Sequence, residues 1–170
     1  VIGLFGPLRY ILLTDALLQQ ASSLRIAAYK ARRLRGRAGD GPLLDLCCGL
    51  GADALAAASL GQAVRGCDRS AEAVFCGRHN ARALGLTDRC QFEQADVTAW
   101  ELPATAVVHV DPDRRAAGRR AIAWDSYSPP ASFLRRLPER TRAGCIKLSP
   151  AMDAATLAGW PGDVEYVSEG

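Results

Sequence analysis

Short apolar runs alternate along the chain with longer stretches in which apolar residues recur every three or four positions. The runs are Leu43 to Cys47, Ala63 to Cys67, Cys90 to Glu93, Ala106 to Val110, Gly144 to Leu148 and Asp163 to Val167. Each has the length of a strand buried within a sheet. Between them, Asp53 to Leu60, Ala71 to Leu84 and Ser132 to Leu137 carry helical spacing. Ahead of the first run, Leu13 to Arg35 reads as one helix. Thr14 can cap it, and Leu17, Leu18, Ala21, Leu24, Ala28 and Ala31 recur at its period. Arg37 to Pro42, RAGDGP, reads as a linker. Strands alternating with helices at this spacing predict an α/β fold with a doubly wound, mostly parallel sheet over residues 41–170. A helical extension over residues 1–40 precedes it.

Composition narrows the class. The chain has 170 residues, 49% of them apolar and 23% charged, which suits one domain with an extension and excludes a disordered or fibrous chain. A net charge of +3 is too mild to argue for nucleic acid by itself. The N-terminal apolar stretch, Val1 to Leu13, is interrupted by Arg9 and is shorter than the ~20 residues of a spanning helix. It also lacks the small-residue cleavage site of a signal peptide, so no membrane partner is expected. The chain opens at Val1 without Met, as a fragment would. None of the six cysteines (Cys47, Cys48, Cys67, Cys76, Cys90, Cys145) forms a CxxC pair, and neither histidine lies near paired cysteines. The reading is therefore no metal, free thiols and a reduced, cytoplasmic setting. The basic residues are all arginine except Lys30 and Lys147, a bias that GC-rich coding explains.

Four segments carry chemistry. The first, Asp45-Leu46-Cys47-Cys48-Gly49-Leu50-Gly51-Ala52-Asp53, joins a strand to a helix through a turn whose glycines let a ligand approach the backbone. The second is Asp68, 23 residues beyond Asp45 and followed by Arg69, where a carboxylate accepts from ribose hydroxyls. A dinucleotide site wants GxGxxG, whereas Cys47, Gly49 and Ala52 hold those places here. Asp45 within the motif suits a cationic cofactor end better than a pyrophosphate. The third is Asp96-Val97, after the third strand, an acid for an adenine amino group and an apolar contact for its ring. The fourth, Val107-Val108-His109-Val110-Asp111-Pro112-Asp113-Arg114-Arg115, delivers Asp111 to the carboxyl edge of the sheet, with His109 inside the apolar run as a core or supporting residue.

With these segments in order, the chain resembles the class I methyltransferases that use S-adenosylmethionine, over roughly Gly41 to Val167. The stretches Asp111 to Arg115, Tyr127-Ser128-Pro129-Pro130 and Cys145 to Asp153 resemble, more narrowly, bacterial trimethylguanosine-synthase-like enzymes with a THUMP-like segment. The resemblance implies a Rossmann-like fold and S-adenosyl-L-methionine as cofactor. Its holders would be Asp45, Cys47, Cys48, Gly49, Gly51, Asp53, Asp68, Arg69, Asp96 and Val97. The family sheet ends with a hairpin, so this chain is expected to lack the final strand.

The implied reaction is methylation of an amino group on an RNA base. Asp111, Pro112 and Asp113 would orient the nucleophile, and Arg114, Arg115, Trp124 and Tyr127 would meet the substrate by charge or stacking. The alternatives are a methyltransferase acting on a protein or small molecule, and a cofactor-binding fold without catalysis. The basic end of the first helix (Lys30, Arg32, Arg33, Arg35, Arg37) and the arginines near the fourth segment (Arg114, Arg115, Arg119, Arg120) are expected to flank one RNA cleft.

Overall fold

The structure is a computed structural model, and it describes residues 11–38, 41–113, 115–116, 119–120 and 127–168. Two helices, α1 (Asp15–Gln20) and α2 (Leu24–Ala38), precede the sheet. There follow β1 (Leu43–Leu46), α3 (Ala52–Ser59), β2 (Val64–Asp68), α4 (Ala71–Ala83), β3 (Cys90–Gln94), β4 (Val107–Val110), β5 (Arg115–Ala116), β6 (Arg119–Arg120), α5 (Ala131–Arg140) and β7 (Ala143–Ile146). A 3-10 turn at Ala154–Leu157 comes last.

Five strands form one parallel sheet in the order β3-β2-β1-β4-β7. The chain builds outward from β1 through β2 to β3, then returns to place β4 on the other side of β1. The crevice at the carboxyl ends of β1 and β4 is thus the switch point, where open α/β sheets bind ligands. All four residues of β1 and of β4 are buried, as expected of strands covered on both faces. Side chains alternate between two cores. Leu43 and Val107 face Ala27, Ala31 and Leu34 of α2, together with α3 and α4. Leu44, Leu46, Val108 and Val110 face Phe133, Leu134 and Leu137 of α5. On the first face a Phe92 ring is seated so closely that a Cβ on Gly51, Gly66 or Gly77 would lie 2.7, 2.5 or 2.9 Å from it.

Two expectations are corrected. The helix expected over Leu13 to Arg35 is two. Thr14 does cap α1, its hydroxyl accepting from Leu17 N–H, but Ala21 turns extended and Ser23 opens α2 by accepting from Ile26 N–H. Serine hydroxyls compete for backbone donors, which favours such a break. The strand expected over Asp163 to Val167 does not form. Those residues join no ladder. Their acids turn instead to α2, where Glu165 accepts from Tyr29 and pairs with Arg33, while Asp163 approaches Arg37. The two-residue hairpin of β5 and β6 was not legible from periodicity.

Candidate functional site

A cleft of about 550 Å3 opens at the switch point, lined from the carboxyl ends of β1, β2, β3 and β4. Its floor is the turn after β1. Cys47 adopts φ +63°, a left-handed conformation rare for a residue with a Cβ, and Gly49 follows at φ +53°. A Cβ on Gly49 would meet nothing within 4 Å, so the backbone there borders open space. Asp68 ties the turn to the next strand. Its Oδ2 accepts from Gly49 N–H and its Oδ1 from Ser70 N–H, both at 2.9 Å. Ser70 then caps α4 by accepting from Ala73 N–H.

Asp96 and Val97 form part of the far wall. The hydroxyl and N–H of Thr98 hold the Asp96 carboxyl below the usual carboxylate range, so the acid stands ready as an acceptor. Arg69 leans across to Asp113 at 3.6 Å and to Ser128 Oγ at 3.2 Å. Asp113 and Ser128 also exchange backbone hydrogen bonds, so the fourth segment is stitched to the Tyr127-Ser128-Pro129-Pro130 stretch.

Beneath the floor lies a polar network within the first core. Asp45 and His109 are register partners on β1 and β4, with Asp45 Oδ1 2.7 Å from His109 Nδ1. Lys30, only 7% exposed, descends from α2. Its Nζ lies 2.7 Å from Asp53 Oδ1, 2.8 Å from Ser22 Oγ and 3.0 Å from His109 Nε2. Lys147, following β7, contacts the same Ser22 Oγ at 3.3 Å and pairs with Asp111 Oδ2 at 2.6 Å. Burial pushes the Asp45 carboxyl up, against the pull of His109. Burial would raise Asp53 as well, but His109 and Lys30 beside it, with hydrogen bonds from Lys30 and Ser22, hold it below the usual range.

The structure therefore brings Asp45, Cys47, Cys48, Gly49, Asp53, Asp68, Arg69, Asp96, Val97, Asp111, Pro112 and Asp113 to one cleft. Gly51 sits beside them as the residue that starts α3, packed on Phe92. Asp45 and Asp53 are not free-standing acids, because both are engaged with His109 and Lys30. Tyr127 does not present a stacking face. It is 4% exposed in the second core, and its hydroxyl accepts from Ser149 N–H. Arg114 and Trp124 lie outside the described residues, as do the side chains of Arg115, Arg119 and Arg120.

The basic end of α2 is also displaced from the expected cleft. Arg35 borders a separate hollow with Gly61, Gln62, Ala63, Asp88 and Arg89, the residues that lead into β2 and β3 at the amino edge of the sheet. Helix α2 runs antiparallel to the strands, so Ser22 at its start reaches the carboxyl edge and its arginines end at the other. Ser22 and Lys147 lie outside the site expected from sequence, and Lys30, expected with the basic end of the first helix, belongs to this network instead. One signal was present: the two lysines of an otherwise all-arginine chain are the two cations of the network. Among the described residues no cluster of His, Cys, Asp and Glu could hold a metal ion, and no helix is long and apolar enough to cross a membrane.

Comparison with known proteins agrees with this geometry. Residues 43–119 match a family model described as a methyltransferase domain. The chain is 35% identical over 161 residues to an S-adenosylmethionine-dependent methyltransferase of Mycobacterium tuberculosis, covering 92% of this chain and 42% of the relative. It is 40% identical over 123 residues to a 23S rRNA (uracil-C5) methyltransferase of Shewanella halifaxensis, covering 69% of this chain and 30% of that protein. The chain thus spans less than half the length of the curated relatives it matches. Among solved structures, the CcbJ methyltransferase from Streptomyces caelestis superposes with a TM-score of 0.50 at 19% identity, over 60% of this chain and 43% of that one, a likeness of fold.

Proposed function

We propose, from the premise that this chain is a class I S-adenosylmethionine-dependent methyltransferase domain, that the cleft holds that cofactor over the Asp45–Asp53 turn and that the methyl group goes to an amino group of an RNA base. The residues fit the cofactor. Asp68 stands at the end of β2 with room for ribose hydroxyls to share its carboxylate. Open space lies over Gly49, and Asp45 Oδ2 is a buried oxygen with no hydrogen-bond partner on the cleft floor. S-adenosylmethionine supplies a methyl already made electrophilic by its sulfonium. What remains for the protein is to align the acceptor and take up its proton.

The observation that carries the reading is the position of Asp111 and Pro112. Residue 111 leaves the buried β4 at the switch point beside the glycine turn, with its carboxylate held by Lys147. An aromatic amine is a weak nucleophile. Asp111 and the backbone carbonyl of Pro112 would accept its two N–H groups and fix its lone pair. Asp113, braced by Arg69, would border the same space.

A nitrogen target fits the two acceptors at the tip of β4, the Asp111 carboxylate and the Pro112 carbonyl. A ring carbon such as uracil C5 is inert until an anionic nucleophile adds to the ring, a task for a thiolate. Burial pushes all six thiols of this chain up, Cys67 to about 12, and Cys47 and Cys48 beside the cleft well above their ordinary value. The choice of RNA draws on relatives named as rRNA methyltransferases. The narrower resemblance to trimethylguanosine-synthase-like enzymes supports the amino group.

Transfer of tritiated methyl from S-adenosylmethionine onto total RNA, total protein and metabolite fractions tests this. Nuclease-sensitive label that digests to an N-methylated nucleoside is the expected result. Label confined to protein or metabolites moves the substrate to those classes, and 5-methyluridine refutes the nitrogen assignment.

A further inference from the structure

Lysine is rare in this chain, and both copies lie in one network, Lys30 buried and Lys147 half-buried. Lys30 occupies the stripe of α2 that also buries Ala27, Ala31 and Leu34, a place where an apolar side chain would pack at lower cost than an ammonium. What the ammonium provides there is a positive charge within 3.0 Å of three groups: it donates to Ser22 Oγ, pairs with Asp53 Oδ1 and contacts His109 Nε2. A guanidinium is a planar fork and does not match that set. Nε2 of His109 lies 3.0 Å from Lys30 Nζ, and its Nδ1 lies 2.7 Å from Asp45 Oδ1. Ser22 bonds Asp53 in turn and receives Lys147, which ends on Asp111. The chain of contacts runs unbroken from the acid under the glycine turn to the acid at the tip of β4.

We propose that Lys30 is a positioning residue for the cofactor's cationic end: it pins the Asp53 carboxylate and the His109–Asp45 pair in one hydrogen-bonding arrangement beneath the turn, and through Ser22 and Lys147 ties that arrangement to Asp111. This rests on the reading that the cleft holds S-adenosylmethionine. Asp45, Asp53 and Asp111 all border the cleft, so a carboxylate held ionised there attracts a sulfonium and gains nothing from a thioether. The charged and titratable groups that face Asp53 and His109 are Lys30 from α2, Asp45 from β1, Asp111 after β4, and Cys145 and Lys147 from β7 and its end. With Lys30 gone, Asp53 is a buried acid without its closest cation, and burial then raises its carboxyl.

The test is calorimetry on the whole chain, with S-adenosylmethionine and S-adenosylhomocysteine titrated at about pH 6, 7 and 8.5. The ratio of the two affinities cancels the titration of the amino group both ligands carry. In wild type the ratio should be flat across that range. Lys30→Met should lower it about tenfold at pH 6 and restore part of the loss by pH 8.5. Lys30→Met combined with Asp53→Asn removes both charges, so it folds without a stranded acid. It should show a low, pH-independent ratio. A folded Lys30→Met, or a folded double variant, with the wild-type ratio at every pH overturns the proposal. Asp68→Ala serves as the parallel control. If that change leaves S-adenosylmethionine affinity intact, the cleft reading itself fails and this inference with it. If Asp68 matters and the Lys30 variants do not, only the inference fails.

Discussion

His109 Nδ1 lies 2.7 Å from Asp45 Oδ1, across two parallel strands that place the two residues at the same register position. The pair interrupts what is otherwise an apolar face, with Leu43 and Val107 two residues before them in the same alternation. Such polar groups in a sheet interior cost free energy unless partnered, and here Lys30 of α2 reaches His109 Nε2 at 3.0 Å while Asp53 of α3 stands 3.9 Å away.

The network predicts opposite acid responses at its two acids. Asp53 is held below the ordinary carboxylate value of 3.8, so its ionisation favours the folded state at neutral pH and that contribution is lost as pH falls through its folded value. Asp45 is held above 3.8, so its contribution is full below that value and is lost as pH rises through its folded value. In urea unfolding from about pH 7 to about pH 3, Asp53→Asn should be less stable than wild type at neutral pH, with the gap closing in acid. Asp45→Asn should move the other way, gaining on wild type as pH rises.

Asp68 serves both the turn and the proposed ligand. Replacing it with Ala strands Gly49 N–H and Ser70 N–H and removes the acceptor for ribose hydroxyls. The expected loss is about 1–3 kcal/mol of S-adenosylmethionine affinity by calorimetry. Unchanged affinity would refute the assignment of that carboxylate.

Around Phe92 the packing leaves no slack. Phe92→Ala should cost about 3–5 kcal/mol in urea unfolding. Gly66→Ala places a Cβ 2.5 Å from the ring and should cost about 1–3 kcal/mol by overpacking. The combination should cost less than the sum, because the small side chain relieves the clash.

The arginines at the end of α2 should be silent in cofactor binding. Arg33 is engaged by Glu165, and Arg35 lies at the amino edge of the sheet. Arg32, Arg33 and Arg35 changed together to Ala should leave S-adenosylmethionine affinity within about twofold of wild type, as for surface changes remote from a site. Loss of RNA binding in that variant with cofactor binding intact would place an RNA contact away from the cleft mouth.

Thiol counting gives a further check. All six cysteines are free. An aromatic disulfide reagent should titrate all six in denaturant without reductant. In the native protein Cys47 and Cys145, the two half-buried ones, should react before the rest.

Periodicity read the sheet well because β1 and β4 are buried on both faces and show as unbroken apolar runs. The turn after β1 and the place of Asp68 at the end of β2 were legible because glycines and an acid at fixed spacing mark the carboxyl edge of such a sheet. Four things escaped. The break in the first helix turned on Ser22 and Ser23, whose capping is a matter of backbone competition rather than period. The strand expected over Asp163 to Val167 had alternation but no neighbour to pair with. Lys30 sits on an apolar stripe and reads with the arginines that follow it, because a helical wheel shows which face a residue occupies and not what the opposite surface demands. Tyr127 was assigned to the substrate from its place beside Ser128-Pro129-Pro130, whereas its ring completes the second core.

The network also bears on where the functional unit ends. A fragment cut to residues 43–119, the span of the family match, would keep Asp45, Asp53, His109 and Asp111. It would discard Lys30 on one side and Lys147 on the other, and with them every ammonium that reaches those carboxylates. The carboxylates of that span would be left without the two ammonium groups that face them in the whole chain. Both lysines lie outside the family match and within the 92% of the chain aligned with the mycobacterial relative.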